Sequence, residues 1–268
     1  MAEFGRLLTA MVTPMKDDLS VDYQRAAELA RHLVESGSDC LVVAGTTGES
    51  PTLTKEEKLK LFETVVQAVG DQVPVIGGTG SYNTAETIAF TKAAEATGIS
   101  GVLLVTPYYN KPPQEGLYRH FKAVADATKL PCILYNVPSR TSVNLQPQTT
   151  LRLARDCRNI IGIKECADLG QLVDLLNGAP EGFRVWSGDD AATLPYLALG
   201  AYGIVSVASH VIGQEMQEMI QAFLEGQNAQ AANWHRRLTP AFRGLFAVTN
   251  PILVKAALNL TGFPVGPL

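Results

Sequence analysis

Asn159-Ile160-Ile161-Gly162-Ile163-Lys164-Glu165 is a short run of β-branched, apolar residues that ends in two charges. Continuous apolar character without alternation is what a strand covered on both faces requires, so residues 160–164 read as a buried strand of a parallel sheet. A lysine at the end of such a strand is out of place. Burial disfavours the ammonium form and pulls the amine below its usual pKa of about 10.4, toward the range of about 7 to 8 where the free amine is a competent nucleophile. Schiff-base chemistry with a carbonyl substrate is one reading of Lys164. The other is a lysine that snorkels to solvent or pairs with Glu165.

Similar apolar runs occupy residues 7–12, 40–44, 74–76, 101–106, 132–136, 183–187 and 203–208. Between them lie amphipathic segments such as 23–35, 55–69, 84–97, 115–128 and 145–155, with 211–223 after the last strand. Eight βα units in about 225 residues match the count and size of a closed (β/α)8 barrel. An open doubly wound sheet is the alternative, but no GxGxxG follows the first strand. The expected division is a catalytic barrel over residues 1–225 and a carboxyl-terminal helical segment over 226–268. Residues 227–235 and 251–260 supply its two helices, and the breaker-rich Gly262-Phe263-Pro264-Val265-Gly266-Pro267 follows them.

A barrel of this kind builds its site at the carboxyl ends of the strands. There the chain carries Gly45-Thr46-Thr47-Gly48-Glu49-Ser50, whose hydroxyls can bind a carboxylate or relay a proton; without a following Gly-Lys-Ser/Thr it is no Walker A loop. Gly77-Gly78-Thr79-Gly80 reads as a tight turn. Tyr108 and Tyr109 follow the fourth strand, and Tyr135 ends the fifth. A strand-end tyrosine is either a core residue with its hydroxyl at the rim or, beside a lysine, a proton donor and acceptor. Arg140 is either a fork for a substrate carboxylate or half of a surface ion pair. In Ser187-Gly188-Asp189-Asp190 either the paired carboxylates suggest a metal or, in the favoured reading, Asp189 or Asp190 caps the next helix and Gly188 leaves room for a ligand. His210 is the single histidine at this face, a core residue or a catalytic participant.

Composition excludes several classes. With 46% hydrophobic residues, a formal net charge of −4 and no basic cluster, the chain lacks the footprint of a nucleic-acid binder. Residues 1–14 resemble neither a signal peptide nor a membrane span, so no membrane association and a cytoplasmic location are expected. Cys40, Cys132, Cys157 and Cys166 are too scattered for a disulfide framework or structural zinc, and the four histidines form no metal-binding pair. No metal and no diffusible cofactor are expected.

The segments GTTGES (45–50), TPYYNKP (106–112), YNVPSRT (135–141), IIGIKE (160–165), SGDD (187–190) and NPILVKAAL (250–258) together resemble the pyruvate-dependent class I aldolases, and within them the dihydrodipicolinate synthase family. The likeness runs from residue 7 to the end of the chain. It implies an imine between Lys164 and pyruvate, with Tyr135, Thr46 and Tyr109 as a proton relay and Tyr109 reaching in from a neighbouring subunit. Thr47 and the backbone at Val205 would hold the pyruvate carboxylate near Gly188. Arg140 would take the carboxylate of L-aspartate 4-semialdehyde, and it separates the synthases from sugar-acid lyases that share the lysine and tyrosine. The implied activity is a carbon–oxygen lyase of lysine and diaminopimelate biosynthesis, acting as a homotetramer. The same likeness implies a further helix beyond Leu268, so the helical extension is expected to be shorter than in relatives. Residues matching an L-lysine effector pocket would be Ser50, Pro51, Lys55, Lys58, Tyr82, Glu86 and Tyr108, with Lys55, Lys58 and Tyr82 departing from the regulated pattern toward weak or absent inhibition. Two alternatives stand beside the synthase: a pyruvate-dependent lyase of 2-keto-3-deoxy acids, and a non-catalytic binding protein on the same scaffold.

Overall fold

Eight parallel strands, β1 (Leu7–Ala10), β2 (Cys40–Val43), β3 (Val75–Gly78), β4 (Gly101–Val105), β5 (Cys132–Asn136), β6 (Ile160–Glu165), β7 (Arg184–Ser187) and β8 (Gly203–Ser206), close into a barrel in sequence order. The structure is a computed structural model and describes residues 4–268; residues 1–3, the head of the segment read as lacking a signal peptide, lie outside the described residues. Closure joins β1 to β8, with Leu8 opposite Val205. Side chains alternate across each strand. Leu8, Val42, Ile76, Leu103, Ile133, Tyr135, Trp186 and Val205 share an interior cluster, while Leu7, Leu41, Val43, Val75, Leu104 and Leu134 pack outward against the helices.

Every strand read from the sequence is present: β1, β2, β4 and β8 stop short of their expected carboxyl ends where the chain leaves for a loop, β5 matches, β6 gains Glu165 and β7 starts one residue late. β3 differs in another way. It runs through Gly77 and Gly78, which had read as a turn. A Cβ on Gly78 would lie 2.3 Å from the Ala44 carbonyl oxygen, and one on Gly77 would meet Ile99 and Phe62. These glycines admit neighbouring atoms rather than reverse the chain.

The helices α1 (Tyr23–Glu35), α2 (Lys55–Val69), α3 (Thr84–Glu95) and α4 (Gln114–Asp126) follow the first four strands. Thr54 and Glu57 form a reciprocal capping box at the start of α2, and Asp22 and Asn83 cap α1 and α3. After β5 a single turn, α5 (Pro138–Thr141), precedes α6 (Pro147–Asp156). Then come α7 (Leu169–Gly178), α8 (Thr193–Ala198) and α9 (Ser209–Leu224), the last broken by non-helical backbone at Ile212. Beyond the barrel, α10 (Asn228–Leu245) is far longer than the expected 227–235 and carries Pro240 within it; α11 (Ile252–Leu260) agrees with its expected span. No helix among the described residues is long and apolar enough to cross a membrane.

One irregularity decides where Lys164 points. Cys132 pairs with Ile160, but Ile133 pairs with Gly162, so Ile161 is an extra residue in β6. A bulge of this kind shifts every later residue by one and reverses the face it presents. Without it Tyr135 would oppose Ile163; with it Tyr135 opposes Lys164, which in turn opposes Trp186.

Candidate active site

The bulge turns Lys164 into the barrel beside two interior aromatics. Only 5% of the residue is exposed, and its Nζ lies 4.5 Å from the centroid of the Tyr135 ring. Burial holds the amine below its ordinary pKa, opposed by the neighbouring Cys166 and Asp190 and assisted by Arg140. The alternative partner, Glu165, faces the other way. Its carboxylate accepts from Asn136 Nδ2 at 2.9 Å, Gln171 Nε2 at 2.9 Å and the Ala167 N–H at 2.7 Å. Lys164 therefore neither reaches solvent nor pairs with Glu165.

Gly188 explains how an amine fits here. A Cβ at that position would come within 2.1 Å of Cys166 Sγ and 2.8 Å of Lys164 Cε. The room that Gly188 leaves is occupied first by the lysine stem. Burial pushes the Cys166 thiol up to about 12, so the sulfur is protonated and uncharged beside the amine. Asp189 caps the turn that follows through the Ala191 N–H at 3.0 Å. Asp190 does not cap it: the carboxylate is buried and accepts from the N–H groups of Val207 (3.1 Å) and Ala208 (2.9 Å) and from Ser206 Oγ, tying β7 to β8. No group of three His, Cys, Asp or Glu residues suited to a metal gathers among the described residues.

Burial also raises the Tyr135 phenol well above its usual pKa, an effect to which Cys166 adds and which a hydrogen bond with Thr46 offsets. The phenol is thus a neutral O–H that can lend and recover a proton. Thr46, Tyr135 and Arg140 line one cavity of about 270 Å³, while Lys164, Thr47, Gly188 and Val205 are not on its wall. Thr47 Oγ1 accepts from Asn250 Nδ2 at 2.9 Å, which leaves the threonine proton free to donate. Arg140 is exposed and makes no ion pair among the described residues; its Nη2 donates to the Asn250 carbonyl at 3.1 Å. Val205 is buried in β8. Tyr109 stands apart, 89% exposed and with a left-handed φ of 63°. His210 is structural. The Val12 N–H donates to its Nε2 at 3.1 Å, so Nδ1 carries the proton and donates to the Val207 carbonyl at 2.8 Å, and burial lowers its pKa to about 4.

Three residues at the site went unnoticed in the sequence: Asn250, Lys255 and Glu49. Lys255 on α11 is 2% exposed, and its Nζ reaches Glu49 Oε1 at 2.8 Å and the Thr13 carbonyl at 3.1 Å. Their only signal was membership of the NPILVKAAL and GTTGES motifs.

A second cavity, of about 400 Å³, adjoins the first and shares Ser50, Pro51, Lys58, Gly78, Gly80, Ser81 and Tyr108 with it. Its lining also includes Lys55, Tyr82 and Glu86, so all seven residues matched to an effector pocket meet there. Tyr82 and Tyr108 stack edge to face, 5.2 Å between centroids. Burial, and then the nearby Lys55, lower the Lys58 pKa.

The dihydrodipicolinate synthetase family model matches residues 3–268. The chain belongs to that family. It is 76% identical to a 4-hydroxy-tetrahydrodipicolinate synthase of Symbiobacterium thermophilum over all 268 residues, which span 92% of that protein. Among solved structures it superposes with a TM-score of 0.98 on a dihydrodipicolinate synthase from Bacillus anthracis at 48% identity, covering 100% of this chain and 92% of that one. The family member from Cyanidioschyzon merolae, crystallised with lysine bound, gives a TM-score of 0.97 at 49% identity over 98% of this chain and 90% of its own. The (β/α)8 barrel is the fold of the family.

Proposed function

We propose the following account of what the site does. The chain condenses pyruvate with L-aspartate 4-semialdehyde, a lyase activity of lysine and diaminopimelate biosynthesis. The observation that carries it is a buried Lys164 amine, its pKa held below the ordinary value by burial, against a neutral Tyr135 phenol. Lys164 attacks the ketone carbon of pyruvate, and loss of water gives the imine. The imine is itself the electron sink, so no cofactor enters. Tyr135, hydrogen-bonded with Thr46, returns protons to the leaving hydroxide and removes one from the methyl group to form the enamine. The enamine carbon attacks the aldehyde, the amino group of the second substrate closes the ring, and Lys164 is released. Thr47 and the backbone at Val205 hold the pyruvate carboxylate beside Gly188.

Arg140 selects the second substrate. It lies on the cavity wall with a guanidinium unpaired by any carboxylate among the described residues. Losing a charge-assisted contact costs about 1.5 to 3 kcal/mol, roughly ten- to a hundredfold in kcat/KM. In Arg140→Ala, kcat/KM for the semialdehyde should fall by that factor while borohydride still fixes pyruvate on Lys164. Equal activity with the semialdehyde would favour a lyase of 2-keto-3-deoxy acids on the same scaffold.

The active form is a homotetramer in the cytoplasm. Tyr109, exposed and apart from the cavity of its own chain, is supplied to a neighbouring subunit. Exposed apolar side chains support the dimer of dimers: Leu169 and Val173 share one face of α7, and Leu199 is exposed at the end of α8, whose Tyr196 donates to the Ala167 carbonyl just before α7. Four unbonded cysteines accord with a reducing compartment. Residues 1–225 and 226–268 form barrel and extension, with Phe242, Leu245, Val254 and Leu258 buried in the same cluster as the barrel helices.

L-Lysine is at most a weak inhibitor. Lys55 and Lys58 present ammonium groups to a cationic ligand in the second cavity, and Tyr82 adds bulk. One like-charge contact at 4 Å costs about 1 kcal/mol in water and about 4 at the edge of a protein, so two lysines outweigh the single opposite charge that Glu86 offers. Calorimetric titration should give a Kd no tighter than about 1 mM. Micromolar binding with inhibition at saturating pyruvate would sink the electrostatic argument.

A further inference from the structure

We infer that Lys255 is a positioning residue for the imine-forming step, acting through Glu49 on the loop that carries Thr46 and Thr47. The inference rests on the roles proposed above for those threonines. Lys255 belongs to α11, outside the barrel, yet its ammonium is buried and its two partners lie on the loops after β1 and β2. Those loops are also joined directly, because Thr13 Oγ1 donates to the Gly48 carbonyl at 2.7 Å. Lys255, Thr13, Gly48 and Glu49 thus form a closed ring of polar contacts around the backbone that follows Thr47.

The ring fixes a strained conformation. Glu49 has a left-handed φ of 56°, uncommon for a residue with a side chain, and its N–H donates to the Thr46 carbonyl at 3.1 Å. Gly48 is pressed to about 3.0 Å, at the Cβ position, from the Met11 carbonyl and the Ala44 backbone. A loop held this way needs an anchor that an apolar contact cannot supply, since only a directional bond fixes where Glu49 turns. Stability does not account for the pair. Taking an ammonium and a carboxylate out of water costs several kcal/mol each, and apolar replacements of buried pairs are often neutral or stabilising. What the pair does is select one loop geometry, with Thr46 on Tyr135 and Thr47 on Asn250.

The test is the double variant Lys255→Met/Glu49→Gln, which removes both charges together and keeps the volume. Expected is a melting temperature close to that of the unaltered enzyme. Pyruvate KM should rise, and the rate of borohydride-trapped adduct formation should fall, by on the order of ten- to a hundredfold, as a misplacement of about 1 Å entails. KM for the semialdehyde, which depends on Arg140, should change far less. A well-folded double variant with unaltered pyruvate KM and trapping rate overturns the inference. If the double variant does not fold, Glu49→Ala alone decides by the same two readouts, because it removes the contact with Lys255 while the Thr13 carbonyl still accepts from the ammonium. Absence of a pyruvyl adduct in the unaltered enzyme would instead overturn the imine mechanism itself, and the two failures are distinct.

Discussion

In Lys164→Met, condensation falls by a factor on the order of 10⁴ or more, and borohydride with pyruvate leaves the chain unmodified. The unaltered chain takes up one pyruvyl unit, mapped by peptide mass to Lys164. The substitution keeps an unbranched side chain of similar length and removes a buried charge, so the fold should be as stable as before or more so. A lost activity therefore cannot be charged to unfolding, and thermal melting checks this. Because burial leads the lowering of the amine pKa, trapping in the unaltered enzyme should approach its maximum below the pH at which an ordinary lysine deprotonates. Labelling at another lysine, or an adduct that survives in Lys164→Met, contradicts the mechanism.

Tyr135→Phe should lower kcat by about 10² to 10⁴, the range of a positioned proton donor and acceptor. Phenylalanine keeps the ring against Lys164 and the interior packing, and loses only the O–H that hydrogen-bonds with Thr46. Trapped adduct should still form, more slowly, because the nucleophile remains. Tyr109→Phe should act through a different subunit. Mixing inactive Tyr109→Phe and Lys164→Met chains under exchange conditions rebuilds whole sites in mixed dimers and restores part of the activity. No recovery despite demonstrated exchange would mean that Tyr109 serves its own chain.

Strand count and order were legible because a strand covered on both faces leaves a continuous apolar run, and eight such runs are hard to mistake. Gly77 and Gly78 misled because composition records a small residue without recording what it makes room for, here the Ala44 carbonyl and the Phe62 ring. Helix α10 was under-read since Pro240 and the polar residues before it mimic a break. Within the candidate site, the gathering of Thr46, Tyr135 and Arg140 at one cavity with Lys164 against Tyr135 was legible from their places at strand ends and from the family likeness. The extra residue Ile161, which turns Lys164 inward, has no sequence mark that distinguishes it from its isoleucine neighbours. Lys255 and Glu49 stay hidden for a different reason: they are 206 positions apart, and no local pattern reports a contact at that range.

The closure of β1 on β8 sets an order of events during synthesis. A nascent chain holds Leu8 from the start but cannot pair it until Val205 has left the ribosome, so the sheet stays open, with an unpaired edge, for most of translation. Thr46, Tyr135 and Lys164 have all emerged by then. The proposed anchor of the Thr46 loop has not, because Lys255 follows Val205 by about fifty positions, several seconds at roughly 5 to 20 residues per second. The proposed imine-forming amine is thus in place before the residue inferred to fix the Glu49 loop, and a chain stalled between the two would hold Lys164 without that anchor.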